Sequence, residues 1–223
     1  MTATPDQIRE LLSSENLSDR LRAVNEIRTL PPDRGFELIQ LAIGDANTRV
    51  RYAAVSQFDS LGGQDPARSL ELLRGLLADP EPDVQSAAAD CLGGLKLTEA
   101  YEDLAALYAS TPEWLVRFSI LAALGELGDR RAVDLLLAAL SSENELEQLG
   151  AIGALGELAD ERAVPHLLPF VSNSDWQVRH RLSLTLGRFS SEAARAALAT
   201  LSQDAVAQVA EAATAQLNQD SPH

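Results

Sequence analysis

Three histidines and one cysteine are the side chains whose chemistry would matter first: His166, His180, His223 and Cys91. Zinc and di-iron sites need ligands recurring at short helical or turn spacings, and these histidines supply none, so no metal site is expected. A single cysteine forms no intramolecular disulfide and no cysteine-based metal site. Cys91, in "AAADCLGGL", is placed as a small, polarizable core residue rather than a nucleophile. No nucleophile elbow, P-loop or dinucleotide fingerprint occurs. The catalytic residue is therefore unassigned, and no tightly bound cofactor is expected.

Residues suited to recognition are better represented. The chain has only two tryptophans, Trp114 in "TPEWLVRFSILAALGELGD" and Trp176 in "SDWQVRHRLSLTLG", and each stands two residues before a Val-Arg pair. Nearly all positive charge is arginine, with Lys96 the sole lysine. Guanidinium forks suit carboxylates, and indole faces suit flat apolar ligands.

What must position these residues is a repeat. An aliphatic anchor, often followed by Arg, opens a run of small and apolar residues that ends in Leu-Gly. Clear copies are "VRFSILAALGELGD", "EQLGAIGALGELAD" and "VRHRLSLTLGRFSS". Anchors fall at Leu21, Val50, Val84, Val116, Glu147, Val178 and Val209, a spacing of roughly 30 residues that is typical of stacked helical solenoids. Each copy follows a second amphipathic segment, such as "DQIRELL", "ARSLELLRGLL" or "RAVDLLLAAL". The unit is a helical hairpin. The expected fold is all-α: a solenoid of about seven hairpins forming a curved superhelix over residues 1–218, with 219–223 a disordered tail. Composition agrees, since 46% of residues are hydrophobic and only 4% aromatic, which favours closely packed Ala, Leu, Val and Ile helices.

Boundary residues have local causes. Asp45, Asp79, Thr111, Asn173 and Asp204 stand five residues before an anchor and are expected to N-cap the second helices, with Pro80 and Pro112 at N1. Gly in the Leu-Gly endings suits close backbone approach or a left-handed turn. Arg22, Arg51, Arg117 and Arg179 directly follow anchors, where pairing with the Asp five before the anchor of the same or the next copy would make a register-fixing ladder. Thr111 and Asn173 would leave Arg117 and Arg179 without that carboxylate, making them candidate anion contacts. Glu147 breaks the anchor pattern. A shift of register onto Leu146 and Leu149 would restore burial.

In the Val116 copy the core face is Val116, Ser119, Ile120, Ala123, Leu124 and Leu127. The opposite stripe takes offsets two before, two after and five after the anchor: Tyr52, Trp114, Phe118, Leu121, Leu149, Ile152, Trp176 and His180. It is apolar where an unpartnered concave face would be polar, and contiguous apolar surface marks binding sites. With stacked helices 8–10 Å apart, the two tryptophans are expected on the order of 20 Å apart, as walls of a groove floored by Leu149 and Ile152.

The repeat resembles HEAT repeats of the short, regular type. "RVRYAAVSQFDSLG", "DRLRAVNEI" and "WQVRHRLSLTLG" are similar to the cyanobacterial HEAT-repeat phycobilisome-lyase family, which includes the phycocyanobilin lyase subunits. That resemblance implies phycobiliprotein partners (phycocyanin or allophycocyanin subunits), phycocyanobilin as a ligand, and a role in attaching or detaching bilin. It also implies a second HEAT-repeat subunit for the lyase activity, and carries over no catalytic motif. A non-enzymatic adaptor scaffold is the competing expectation.

The formal charge of -15 and pI near 4.5 work against nucleic acid and anionic lipid surfaces. The longest apolar runs are too short to span a bilayer. "MTATPDQIRE" lacks the basic and apolar regions of a signal peptide, so a cytoplasmic location is expected.

Overall fold

Seven helical hairpins follow one another in the order the periodicity predicts. In a computed structural model that describes residues 4–219, the first helices are α1 (Pro5–Leu12), α3 (Pro32–Ile39), α6 (Pro66–Leu76), α8 (Tyr101–Ser110), α10 (Val133–Ala139), α12 (Val164–Leu167) and α14 (Glu192–Leu201). The second helices are α2 (Leu17–Ile27), α4 (Thr48–Val55), α7 (Pro82–Gly94), α9 (Trp114–Leu127), α11 (Glu145–Leu158), α13 (Trp176–Leu186) and α15 (Ala207–Gln219). A short helix, α5 (Phe58–Leu61), extends the second hairpin, and a 3-10 segment, Leu168–Ser172, extends α12. No strand occurs among the described residues, and the fold is an α-solenoid. Gln219, assigned above to the tail, is the last residue of α15; the rest of that tail, residues 220–223, and with it His223, lies outside the described residues.

The chain divides into two compact units, Met1–Ala123 and Leu124–His223. In the first, α2 packs on α4 and α4 on α7. Ile27, Ile39, Leu73, Leu92 and Leu104 are fully buried, each worth about 1.5–3 kcal/mol against exposure. Phe36 and Phe58 meet edge to face at 5.9 Å.

The second helices pack through repeated polar and glycine contacts. Seven residues after the anchor, Gln57 donates from Nε2 to the Val24 carbonyl at 2.7 Å, and Cys91 donates from Sγ to the Val55 carbonyl at 3.3 Å. In the second unit Thr185, at the same offset, donates to the Ile152 carbonyl at 3.1 Å. Nine residues after the anchor, Gly93 leaves no room for a side chain: a Cβ there would stand 2.6 Å from the Ala123 Cα. The Leu-Gly endings therefore serve close approach. The left-handed alternative is met at Gly128, which follows Leu127, and left-handed backbone also occurs at Lys96 and Ala159.

The turn before each second helix closes the same way throughout. Ser14, Asp45, Asp79, Thr111, Ser142, Asn173 and Asp204 each accept, at 2.8–3.2 Å, the backbone N–H two residues on. They are turn formers rather than the expected N-caps. The caps stand two residues later, where Asn16, Asn47, Asn144 and Asp175 accept from the N–H of the second residue following. Pro82, not Pro80, takes the first position of α7, and Pro112 precedes α9 by two residues.

Arginines tie these turns together. Arg20, Arg51 and Arg179 fork from Nε and Nη2 onto both oxygens of Asp45, Asp79 and Asp204, one hairpin further on, at 2.6–3.2 Å. Each Nη1 returns to two carbonyls of its own turn, for example Asn173 and Ser174 in the case of Arg179. The ladder exists, but its first member is Arg20. Arg22 instead pairs with Glu26 within α2. The first copy is thereby shifted by two residues, which puts Asp19 at its anchor.

Candidate functional site

In the second unit, one helix carries an exposed ridge. Trp176 at the first turn of α13 is 41% exposed, His180 is half-buried, and Leu184 is 38% exposed. They are four residues apart, so they stand in line on one face. The Trp176 and His180 rings meet edge-on at 6.4 Å. Leu184 was missed in the sequence, because the stripe was continued five residues after the anchor, at Ser183, rather than six. Ser183 is buried and donates to the Arg179 carbonyl inside the helix.

Beside this ridge lies a groove of about 310 Å³ over α11, α13 and α15, lined by Gly153, Gly156, Arg181, Leu184, Arg188 and Gln216, among others. A Cβ at Gly153 would overlap the Arg181 guanidinium, and a Cβ at Gly187 the Gln216 carboxamide. The missing side chains are what let long polar ones lie down on the helices. Arg188 reaches Glu157 at 3.2 Å.

In the first unit Tyr52 is 48% and Trp114 51% exposed, and Phe118 is half-buried. Two other members of the expected stripe are core instead: Leu121 and, in the second unit, Ile152 are both fully buried, while Leu149 is half-buried. Ile152 is no groove floor. At Val24, Val55 and Ile152, each five residues after its anchor, the carbonyl accepts a hydrogen bond from the next second helix, which packs closely there.

The two candidate anion contacts are engaged. Arg179 is held by Asp204, which supplies the carboxylate that Asn173 lacks. Its guanidinium keeps the Asp204 carboxyl below the usual range against the opposing effect of burial. Arg117 donates from Nη1 to the Tyr108 carbonyl at 3.0 Å and stacks over the Tyr108 ring, 4.1 Å from its centre. Register does not shift at Glu147 either. Leu146 is 44% exposed, whereas Glu147 itself takes the buried anchor place and accepts the Ser142 hydroxyl at 3.1 Å. Asp19 accepts the Ser14 hydroxyl in the same way, so a serine in the turn marks both acidic anchors.

Of the other reactive groups, Cys91 is shielded. Burial pushes the Cys91 thiol up to about 12, far from a thiolate at neutral pH. Burial also raises the Asp90 carboxyl, partly offset by a hydrogen bond with Ser119. His166 is exposed on α12. Among the described residues no three His, Cys, Asp or Glu side chains gather as a metal-binding cluster, and no helix is long and apolar enough to cross a membrane.

Repeated helical hairpins, joined by second-helix glycines and an arginine ladder, define a solenoid repeat protein. The HEAT-repeat model matches residues 37–125, 70–147 and 133–218, and the chain belongs to that family. Among solved structures it is similar to a chain of the complex of CpcE and CpcF of phycocyanin lyase from Nostoc sp. PCC7120, with TM-score 0.64 and 20% identity over 98% of this chain and 95% of that one. YibA of Escherichia coli gives TM-score 0.69 and 17% identity over 97% and 81%. An engineered protein gives 0.59 and 18% over 95% and 67%. At these identities the likeness is one of fold. No curated protein matches the sequence.

Proposed function

We propose that the protein binds a phycobiliprotein and acts on its bilin chromophore, in the manner of the phycobilisome degradation protein NblB, which its N-terminal "LSDRLRAVNEI" and "FELIQLAIGDANTRVRYAAVSQ" resemble. The observation that carries this reading is the ridge of Trp176, His180 and Leu184, an exposed aromatic and apolar edge on the side of the second helices. Such an edge fits an open-chain tetrapyrrole, and Trp114 with Phe118 offers a second apolar pair on α9. The fold likeness to phycocyanin lyase over nearly the full length of both chains supports it. Detaching or attaching a thioether-linked bilin then depends chiefly on positioning, with the phycobiliprotein supplying the thiol. The cell location that goes with this role is the cyanobacterial cytoplasm, at phycobilisomes.

A second reading, as a phycocyanobilin lyase subunit that attaches bilin with a second HEAT-repeat chain, is favoured by the two-chain composition of the CpcE and CpcF complex. Mixing the purified protein with holo-phycocyanin distinguishes them. Loss of bilin absorbance and fluorescence with this protein alone supports detachment. Transfer of free phycocyanobilin to apo-phycocyanin only when a second subunit is added supports the lyase. Co-elution with no spectral change in either experiment leaves an adaptor and overturns both.

A further inference from the structure

We propose that the groove over α11, α13 and α15 binds a small amphiphilic carboxylate, with Arg181 as the anion contact. This inference does not rest on the phycobiliprotein reading.

Arg181 has no carboxylate partner among the described residues, whereas its neighbours Arg179, in the same helix, and Arg188, just beyond it, are paired with Asp204 and Glu157. Its guanidinium occupies the space that a side chain at Gly153 would fill, so although Arg181 is exposed it lies against α11 at the groove wall. Arg188, in the turn after α13, also lines the groove and adds a second cation, paired with Glu157. Gln216 brings a neutral donor and acceptor from α15, and Leu184 with Gly153 and Gly156 supplies apolar surface. One unpaired fork, an amide and an apolar patch specify one carboxylate on an apolar body.

Size decides between a small molecule and a protein segment. About 310 Å³ falls at the lower end of small-molecule sites, roughly 300–1,000 Å³, while a helix about 10 Å across would not enter.

The test uses the full chain, with 1-pyrenebutyrate as the probe and 1-pyrenebutanol as its uncharged counterpart, followed by fluorescence anisotropy. The acid is expected to bind roughly tenfold or more tightly than the alcohol, a difference of about 1.4 kcal/mol. Arg181→Gln should bring the two probes level. Gly153→Ala, whose new Cβ displaces only a flexible side chain, should weaken the acid severalfold while leaving the thermal midpoint unchanged or raised. Equal binding of acid and alcohol, or undiminished acid binding by Arg181→Gln, would overturn the proposal. So would an Arg181-dependent complex with a glutamate-rich pentapeptide in the absence of pyrenebutyrate binding. Phycocyanin binding by Arg181→Gln, measured alongside, is expected to equal that of the unaltered chain, which keeps the two readings separable.

Discussion

Gly125 of α9 lies directly against Ala154 of α11: a Cβ on Gly125 would stand 2.7 Å from the Ala154 Cα. The obstacle is backbone, which cannot swing aside, so Gly125→Ala must separate the helices or strain them. A loss of about 1–3 kcal/mol is expected, despite alanine's better helix propensity. Gly75, in α6, meets nothing within 4 Å of its Cβ position and provides the control. Gly75→Ala should gain up to about 1 kcal/mol. Urea unfolding of both variants checks this, and equal effects of either sign would refute the close-approach role.

The arginine ladder predicts a pH dependence. Asp204 is held below the usual carboxylate range by Arg179, and Asp79 is held low by Arg51 and the Glu81 N–H despite burial. A depressed carboxyl contributes stability that is fully present above the unfolded value, about 3.9, and is lost as pH falls through the lower folded value. Asp204→Asn should keep the turn, since Asn173 closes the equivalent one, but lose the charged fork. It should cost about 1–3 kcal/mol at pH 7 and progressively less toward pH 2. Denaturant unfolding across that range measures the convergence.

Much of this architecture was legible because it is periodic. Val50, Val84, Val116, Val178 and Val209 recur at one register, and all are buried. Finer matters turned on a single residue of offset. Leu121 and Ile152 share the stripe's register with Trp114 and Phe118, yet both are fully buried, because one residue of offset turns a side chain about 100° around the helix. The Arg179 pairing was missed because its carboxylate was sought in its own turn, at Asn173, rather than in the next, at Asp204. Glu147 deceived for another reason. A buried acid contradicts simple patterning, and its signal was the serine five residues earlier, which recurs at Asp19. The Arg181 groove left no periodic trace, since it depends on glycines in one helix matching long side chains in its neighbours.

Cys91 provides a test of shielding. The residue is 4% exposed, and its thiol donates to the Val55 carbonyl and is pushed up to about 12 by burial. Ellman's reagent at pH 8 should react at least roughly a hundredfold more slowly with the native chain than with the urea-unfolded one, because only an opened state presents thiolate. Cys91→Ser should leave any bilin-directed activity intact, and loss of that activity in a folded variant would reinstate the thiol as a participant.

The sharpest separation of binding from folding lies along the original stripe. Trp176 is 41% exposed, so Trp176→Ala removes a side chain only partly buried and should cost about 1–2 kcal/mol. Ile152 is fully buried, and Ile152→Ala should cost about 2–5 kcal/mol. If the ridge on α13 is the recognition edge, the Trp176 variant should stay folded without denaturant yet lose most phycocyanin binding in sedimentation or surface-capture assays, with Trp114→Ala adding to the loss. The Ile152 variant should lose binding only to the extent that it unfolds. Full phycocyanin binding by a folded Trp114→Ala, Trp176→Ala double variant would remove both tryptophans from the site, and with them the reason to place a bilin there.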